Sequence, residues 1–309
     1  MMKKRMRKLV AVILTAAMTM SVGMPAFAAE KESIKFADSK VVTKETDIYF
    51  HWQKSTDSEL LAEGYSVDNI EEIREFSLEN AFLERAKLTD NELRAKGYTE
   101  EEITILKEYD GGTINENSAV LLAAAECEGS ISKGDYTGNN AKGSIKYSWT
   151  WDHEPLVALT DKAVVAWAAY RATDNMECYV EPVSSKSYAK ISLYSTATGN
   201  FVREESVDLT IKKMSCTADA DIPVNTSGYW TKSGKIHLYF DTSEELISKM
   251  EFSGALGHRT LTFTGGITFT VGQGLSITFT PSVQVTRCGT VYAEAIASAN
   301  SYVVVETGN

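Results

Sequence analysis

Near residue 119 the hydrophobic pattern of this chain switches from a helical period to a period of two. Helices place residues three and four apart on one face, whereas strands place every second residue there. Two kinds of element, segregated along the chain, therefore follow. The sequence predicts an α+β multidomain protein: a small N-terminal helical module, then an antiparallel all-β sandwich.

The helical part carries an internal repeat. Leu60, Gly64, Tyr65, Ser66, Ile70, Ile73 and Phe76 recur as Leu93, Gly97, Tyr98, Thr99, Ile103, Leu106 and Tyr109, always 33 residues on. Glycine can take the left-handed conformation that ends a helix. Ser66 and Thr99 then cap the next helix, and acidic residues in its first turn suit the helix dipole. Residues 57–112 are thus expected to hold two helix–Gly-Tyr–helix units in a compact acidic module. Residues 30–116 carry 22 acidic and 11 basic groups. Two copies fall short of the three that a helical solenoid needs.

Residues 119–309 read as the β-domain. Ile145, Tyr147, Trp149 and Trp151 alternate with Lys146, Ser148 and Thr150. Further strands are predicted at 163–171, 187–195, 206–212, 235–240, 290–297 and 303–305. Turns are predicted at 138–140, 198–200 and Ser233-Gly234. Residues 118–126 and 244–250 fit helix or strand.

Residues 1–28 have the succession of a secretory leader. A basic start is followed by an apolar run over 9–22 and by Pro25-Ala26-Phe27-Ala28. Cleavage is expected near Ala28, with 29–56 an N-terminal extension or linker and the mature protein secreted. Removing Lys3, Lys4, Arg5, Arg7 and Lys8 leaves 26 basic residues against 42 acidic ones, a net charge of −16. So acidic a chain gains nothing from nucleic acid or from an anionic lipid surface. In an oxidising compartment Cys127, Cys178, Cys216 and Cys288 are disulfide candidates with three possible pairings, buried thiols being the alternative. Their wide spacing argues against zinc.

No catalytic, metal or cofactor motif is present, and the sequence reads as non-enzymatic. The most enzyme-like run is Trp151-Asp152-His153-Glu154-Pro155. Adjacent carboxylates on one turn are poorly placed for paired acid–base work, so a polar turn is the expectation. His237 is placed in a strand, facing solvent or closing a small hydrogen bond, and His258 in a turn after Gly257. Trp149, Trp151, Trp167 and Trp230 are expected first as core residues; Tyr229 and Trp230, beside Gly228, are the aromatic pair nearest to exposure and the candidates for stacking on a ligand.

Residues 260–286 hold no charge in an otherwise acidic protein. Leu261, Phe263, Ile267, Phe269, Val271, Leu275, Ile277 and Phe279 alternate with threonines and serines around a Gly272-Gln273-Gly274 turn. A sheet with one face on the core produces this pattern. So does a membrane-inserting hairpin, whose strands need about 9–11 residues. The segment is similar to the Ser/Thr-rich amphipathic hairpins of secreted pore-forming proteins of the aerolysin type, a likeness that covers this one hairpin. A charge-free hairpin edge invites aggregation, so the segment is expected to be central in its sheet or covered, for instance by the helical module.

The leading functional expectation is extracellular binding of a glycan, a cell-envelope component or another protein. The second is β-pore formation through residues 260–286, and only that reading involves a membrane.

Overall fold

The computed structural model describes residues 39–42, 45–114, 118–121, 124–133, 141–156, 160–171, 173–222, 228–242, 247–259, 266–270, 276–280, 285–296 and 302–303. The expected leader and its cleavage point near Ala28 lie outside these, as do Leu261, Phe263, Val271 and Leu275.

Six helices form the N-terminal module: α1 (Glu45–Lys54), α2 (Asp57–Glu63), α3 (Val67–Glu75), α4 (Leu78–Ala86), α5 (Asp90–Ala95) and α6 (Glu100–Glu108). Capping boxes open four of them, joining Thr56 to Glu59, Ser66 to Asn69, Thr89 to Glu92 and Thr99 to Glu102. Each box satisfies two orphan helix-end groups reciprocally. Thr56 and Thr89 stand at the same 33-residue offset, so the repeat reaches back one cap further than its apolar positions indicate. Gly64 and Gly97 have φ of 99° and 93°.

Helix α1 falls inside the segment expected to be a linker. Its Tyr49 and Trp52 are buried in the helical core with Leu60, Phe82, Leu93 and Leu106. The Trp52 indole N–H donates to the Tyr65 hydroxyl at 2.9 Å. The module therefore begins at Glu45, and its core contains aromatic residues whose spacing alone does not announce a helix.

The other described elements are strands, apart from one 3-10 turn, and every strand pairing is antiparallel. One sheet has the order β1-β2-β3-β10-β6-β7. Its strands are β1 (Ser39–Val42), β2 (Ala124–Lys133), β3 (Ala141–Trp151), β6 (Tyr188–Ser195), β7 (Phe201–Val207) and β10 (Tyr229–Thr242). The other has the order β15-β14-β11-β4-β9-β8, with β5 beside β4. It contains β4 (Thr160–Arg171), β5 (Glu177–Cys178), β8 (Leu209–Lys212), β9 (Ser215–Asp221), β11 (Ile247–Arg259), β14 (Val285–Ile296) and β15 (Tyr302–Val303). Trp149, Trp151 and Leu238 from the first share a core with Val165, Trp167 and Phe252 from the second. The sheets curl toward each other where β14 approaches β1 and β2. The architecture is α+β, a helical module with antiparallel sheets curled into a half-barrel.

Strand β4 is buried on both faces from Ala163 to Ala169. Ala163, Val165, Trp167 and Ala169 face the shared core, while Val164, Ala166 and Ala168 lie on the opposite side. That second face is built of small residues, and it needs a cover.

Two glycines sit inside strands against aromatic rings, and one of them changes the expected topology. Ser233-Gly234 is no turn, because β10 runs straight through with a bulge between Thr231 and Ser233. Gly234 stands opposite Trp149, and a Cβ there would strike the indole ring. Gly254 likewise leaves room for the Tyr147 ring across the core. Glycine in these strands makes space for aromatics on the neighbouring backbone. Residues 118–126 hold a 3-10 turn (Ala119–Leu121) followed by β2, and residues 247–250 open β11.

Overpacking a filled core costs about 1–3 kcal/mol. Gly254→Ala is expected to lower unfolding stability by that much in urea titration, and Tyr147→Val in the same background should recover part of it. An unchanged midpoint for Gly254→Ala would show that this contact is not tight.

Candidate functional site

The charge-free segment contributes a sheet of its own. β12 (Gly266–Thr270) pairs only with β13 (Ser276–Thr280) among the described residues. In register, Ile267 stands opposite Phe279 and Phe269 opposite Ile277, while Thr268 faces Thr278 and Thr270 faces Ser276. Cross-strand partners share a face, so the apolar positions fall on one side and the hydroxyl residues on the other. Ile277 is fully buried against Val164, Ala166, Ala168 and Ala255. The hairpin thus supplies the cover that the outer face of β4 requires. Of the two expected placements, central in a sheet or covered, it takes the second at Ile277, and among the described residues the cover is the small-residue face of β4 and β11. Among the described residues no helix is long and apolar enough to cross a membrane, which says nothing of strands.

Trp230 is not an exposed platform. Its side chain is fully buried in the shared core. Tyr229 is half-buried, with the Arg203 guanidinium 5.0 Å from its ring centre. A buried indole cannot stack on a ligand, so the pair does not form the expected site.

The Trp151–Pro155 run is the joint between sheets and helices. Glu154 is buried, and its carboxylate takes the Lys96 ammonium and, at 3.0 Å, the Arg85 guanidinium. Its backbone N–H donates to the Lys96 carbonyl at 2.8 Å, and the Tyr98 hydroxyl donates to its carbonyl at 2.9 Å. His153 stacks on Tyr98 at 4.7 Å, with Asp152 and Glu102 carboxylates 3.2 and 3.7 Å from Nδ1. Gly97 lies against the Asp152 backbone so closely that no side chain fits. A second joint sets the β6–β7 turn at Gly199 against Ala95 of α5. These three polar residues are thus spent on docking the second repeat, which sequence spacing alone did not indicate.

His258 lies in β11 and not in a turn. It is fully buried beside Asp161, Nδ1 to Oδ1 2.7 Å, and Asp161 also accepts from the Trp151 indole at 3.0 Å. Cys127 and Cys216 are buried thiols, and Cys178 is a half-buried one, so the structure joins none of these three in a disulfide. Burial pushes the Cys127 thiol up to about 11 and that of Cys216 higher still. Cys288 lies in β14, where only the backbone is described.

His237 is buried on the outer side of the six-stranded sheet and, of its two expected roles, takes the hydrogen bond, with Nδ1 3.2 Å from the Tyr188 hydroxyl. It sits between Tyr188 and Tyr239, with ring centres 5.4 and 4.1 Å away. Burial first, then the Lys146 and Lys235 charges, hold its pKa down to about 4.

No family model matches the chain, and no curated protein matches it in sequence. Among solved structures it is similar to a DUF4466 family protein from Parabacteroides merdae at 12% identity, covering 50% of this chain and 42% of that one, with a TM-score of 0.24. A structure described as a pore forming protein matches at 9% identity over 56% of this chain and 86% of that one, TM-score 0.25. AvmM, which catalyzes macrocyclization in alchivemycin A biosynthesis, matches at 12% identity over 59% and 94%, TM-score 0.21. The chain spans less than half of the first of these, and scores this low carry no argument about fold or function.

Removing one partner from a buried ion pair costs about 3–5 kcal/mol, because the other charge is left uncompensated. Glu154→Gln is expected to lose stability on that scale in urea titration, and Glu154→Gln with Lys96→Met to lose less than Glu154→Gln alone. A double variant as unstable as the sum of the two singles would break the assignment.

His237 gives a separate pH signature. Unfolded histidine titrates near 6.5. Between about 6.5 and about 4 the unfolded chain takes up a proton that the folded one refuses, so stability falls as pH drops through that window. His237→Gln should flatten the slope there in thermal melts; an unaltered slope would assign it to other groups.

Proposed function

We propose that this protein is a secreted, non-enzymatic β-pore-forming protein whose inserting element is the hairpin of residues 260–286. One observation carries the reading. The β12–β13 hairpin is bonded to neither large sheet among the described residues, and it rests on the outer face of β4 and β11 through Ile277. It can therefore lift away without breaking a ladder of either sheet, which we read as the two layers of a sandwich.

The chemistry of the segment suits the destination. Strands that cross a bilayer need every backbone group paired, which hairpins from several copies achieve by closing a barrel. One hairpin face carries Ile267, Phe269, Ile277 and Phe279 for lipid, and the other carries hydroxyls for a wet lumen. The absence of charge over residues 260–286 removes the largest cost of insertion. The leader-like first 28 residues support export.

A second reading, extracellular binding, loses Trp230 but is favoured by a different surface, the tyrosine-flanked His237.

Purified protein is expected to release dye from liposomes. A charge on the lipid-facing side costs about 2–4 kcal/mol near the bilayer midplane, so Phe269→Asp should abolish leakage while leaving the soluble fold intact by circular dichroism. A disulfide between Ala255→Cys and Ile277→Cys should block leakage until reductant is added. Wild-type protein that leaks no dye from zwitterionic, anionic or sterol-containing vesicles would end the proposal.

A further inference from the structure

The outer face of the six-stranded sheet gathers an unusual set of side chains for so acidic a chain. His237 on β10 stands opposite Lys146 on β3 and opposite Tyr188 on β6, with Lys235 and Tyr239 two residues to either side. Lys235 in turn stands opposite Lys190 of β6. Three lysines and two tyrosines thus surround one histidine on three adjacent strands.

The geometry is that of a built site. The His237 ring lies nearly parallel to Tyr239, 30° between planes, and edge-on to Tyr188, whose hydroxyl is 3.2 Å from Nδ1. The imidazole is neutral at physiological pH, which leaves Nε2 one hydrogen bond to make. That atom is buried and has no partner among the described residues. A buried polar atom without a partner costs free energy unless something else satisfies it. The side chain of Lys146, which borders it, faces solvent on a flexible stem and is engaged by no carboxylate among the described residues.

The protein already shows what this face holds. The Glu204 carboxylate bridges Lys190 at 3.3 Å and Lys235 at 2.5 Å. A carboxylate is thus the native partner of two of the lysines, and Lys146 is the one left over. The tyrosine rings add flat surface of the kind that stacks on a sugar ring. On the far side, Glu126 and Glu128 of β2 stand opposite Thr150 and Ser148, and both are exposed. They repel an extended polyanion such as nucleic acid.

From this arrangement we infer that the outer face of β3, β10 and β6 binds a saccharide ending in a carboxylated sugar. The carboxylate pairs with Lys146, a sugar hydroxyl bonds Nε2 of His237, and the ring packs beside Tyr188 and Tyr239. Such a site selects a target surface, and it stands or falls independently of the hairpin, since no membrane enters its test.

The test compares two probes that differ only in the carboxylate, methyl glucuronide and methyl glucoside, titrated into the full chain and followed by tyrosine-ring shifts in NMR spectra. The glucuronide is expected to bind with a millimolar dissociation constant, about tenfold tighter than the glucoside. Lys146→Gln should erase that preference, and Tyr188→Ala should weaken both probes. Lys212→Gln, away from this face, should change neither. Equal affinity for the two probes, no shift with either, or an intact preference in Lys146→Gln would overturn the inference. Lys146 and Lys212 are both exposed, so folding of these variants is not in question.

Discussion

A strand buried on both faces needs a layer above it and a layer below, and in this protein that strand is β4. From Ala163 to Ala169 no side chain reaches water. Below it, Val165 and Trp167 meet the aromatic residues of the six-stranded sheet. Above it, among the described residues, Ile277 of the two-stranded hairpin packs on the small side chains. The asymmetry follows from side-chain volume. Large residues on the inner face build a thick core, and alanines on the outer face let another backbone approach closely. An unpaired β-hairpin is marginal by itself, so its position depends on this contact.

The helical module solves a different problem. Its repeats are too short to bury their apolar faces alone, and each Gly-Tyr turn finds an aromatic or imidazole partner outside its own unit. Tyr65 of the first meets Trp52 of α1, and Tyr98 of the second meets His153 at the end of β3. Equivalent residues thus perform equivalent packing against unrelated partners. One repeat closes the module on itself and the other fastens it to the sheets.

Much of this was legible in the residues. The 33-residue offset is carried by short-range chemistry, caps and left-handed glycines, which needs no knowledge of the rest of the chain. The switch to period two separated helices from strands for the same reason. What was not legible depended on long-range contact. Trp230 sits beside Gly228 and looks like the tip of a turn, yet its indole is fully buried in the core shared by the two sheets. Gly234 resembles a turn residue, yet it and Gly254 are the space that Trp149 and Tyr147 occupy. Asp152, His153 and Glu154 suggest chemistry until Lys96, Arg85 and Tyr98 arrive from some 60 residues away in sequence. The surroundings of His237 are only half legible in its own strand, because Lys146 and Tyr188 reach it from β3 and β6.

At Gly97 against Asp152, and again at Gly199 against Ala95, one main chain lies directly on another with no side chain between them. A rotamer can yield; a peptide plane cannot. The helices are therefore pinned at two separated points with nothing compressible in either seat, so they cannot swivel or slide on the sheets. Any displacement of one body has to be carried whole into the end of β3 and into the β6–β7 loop.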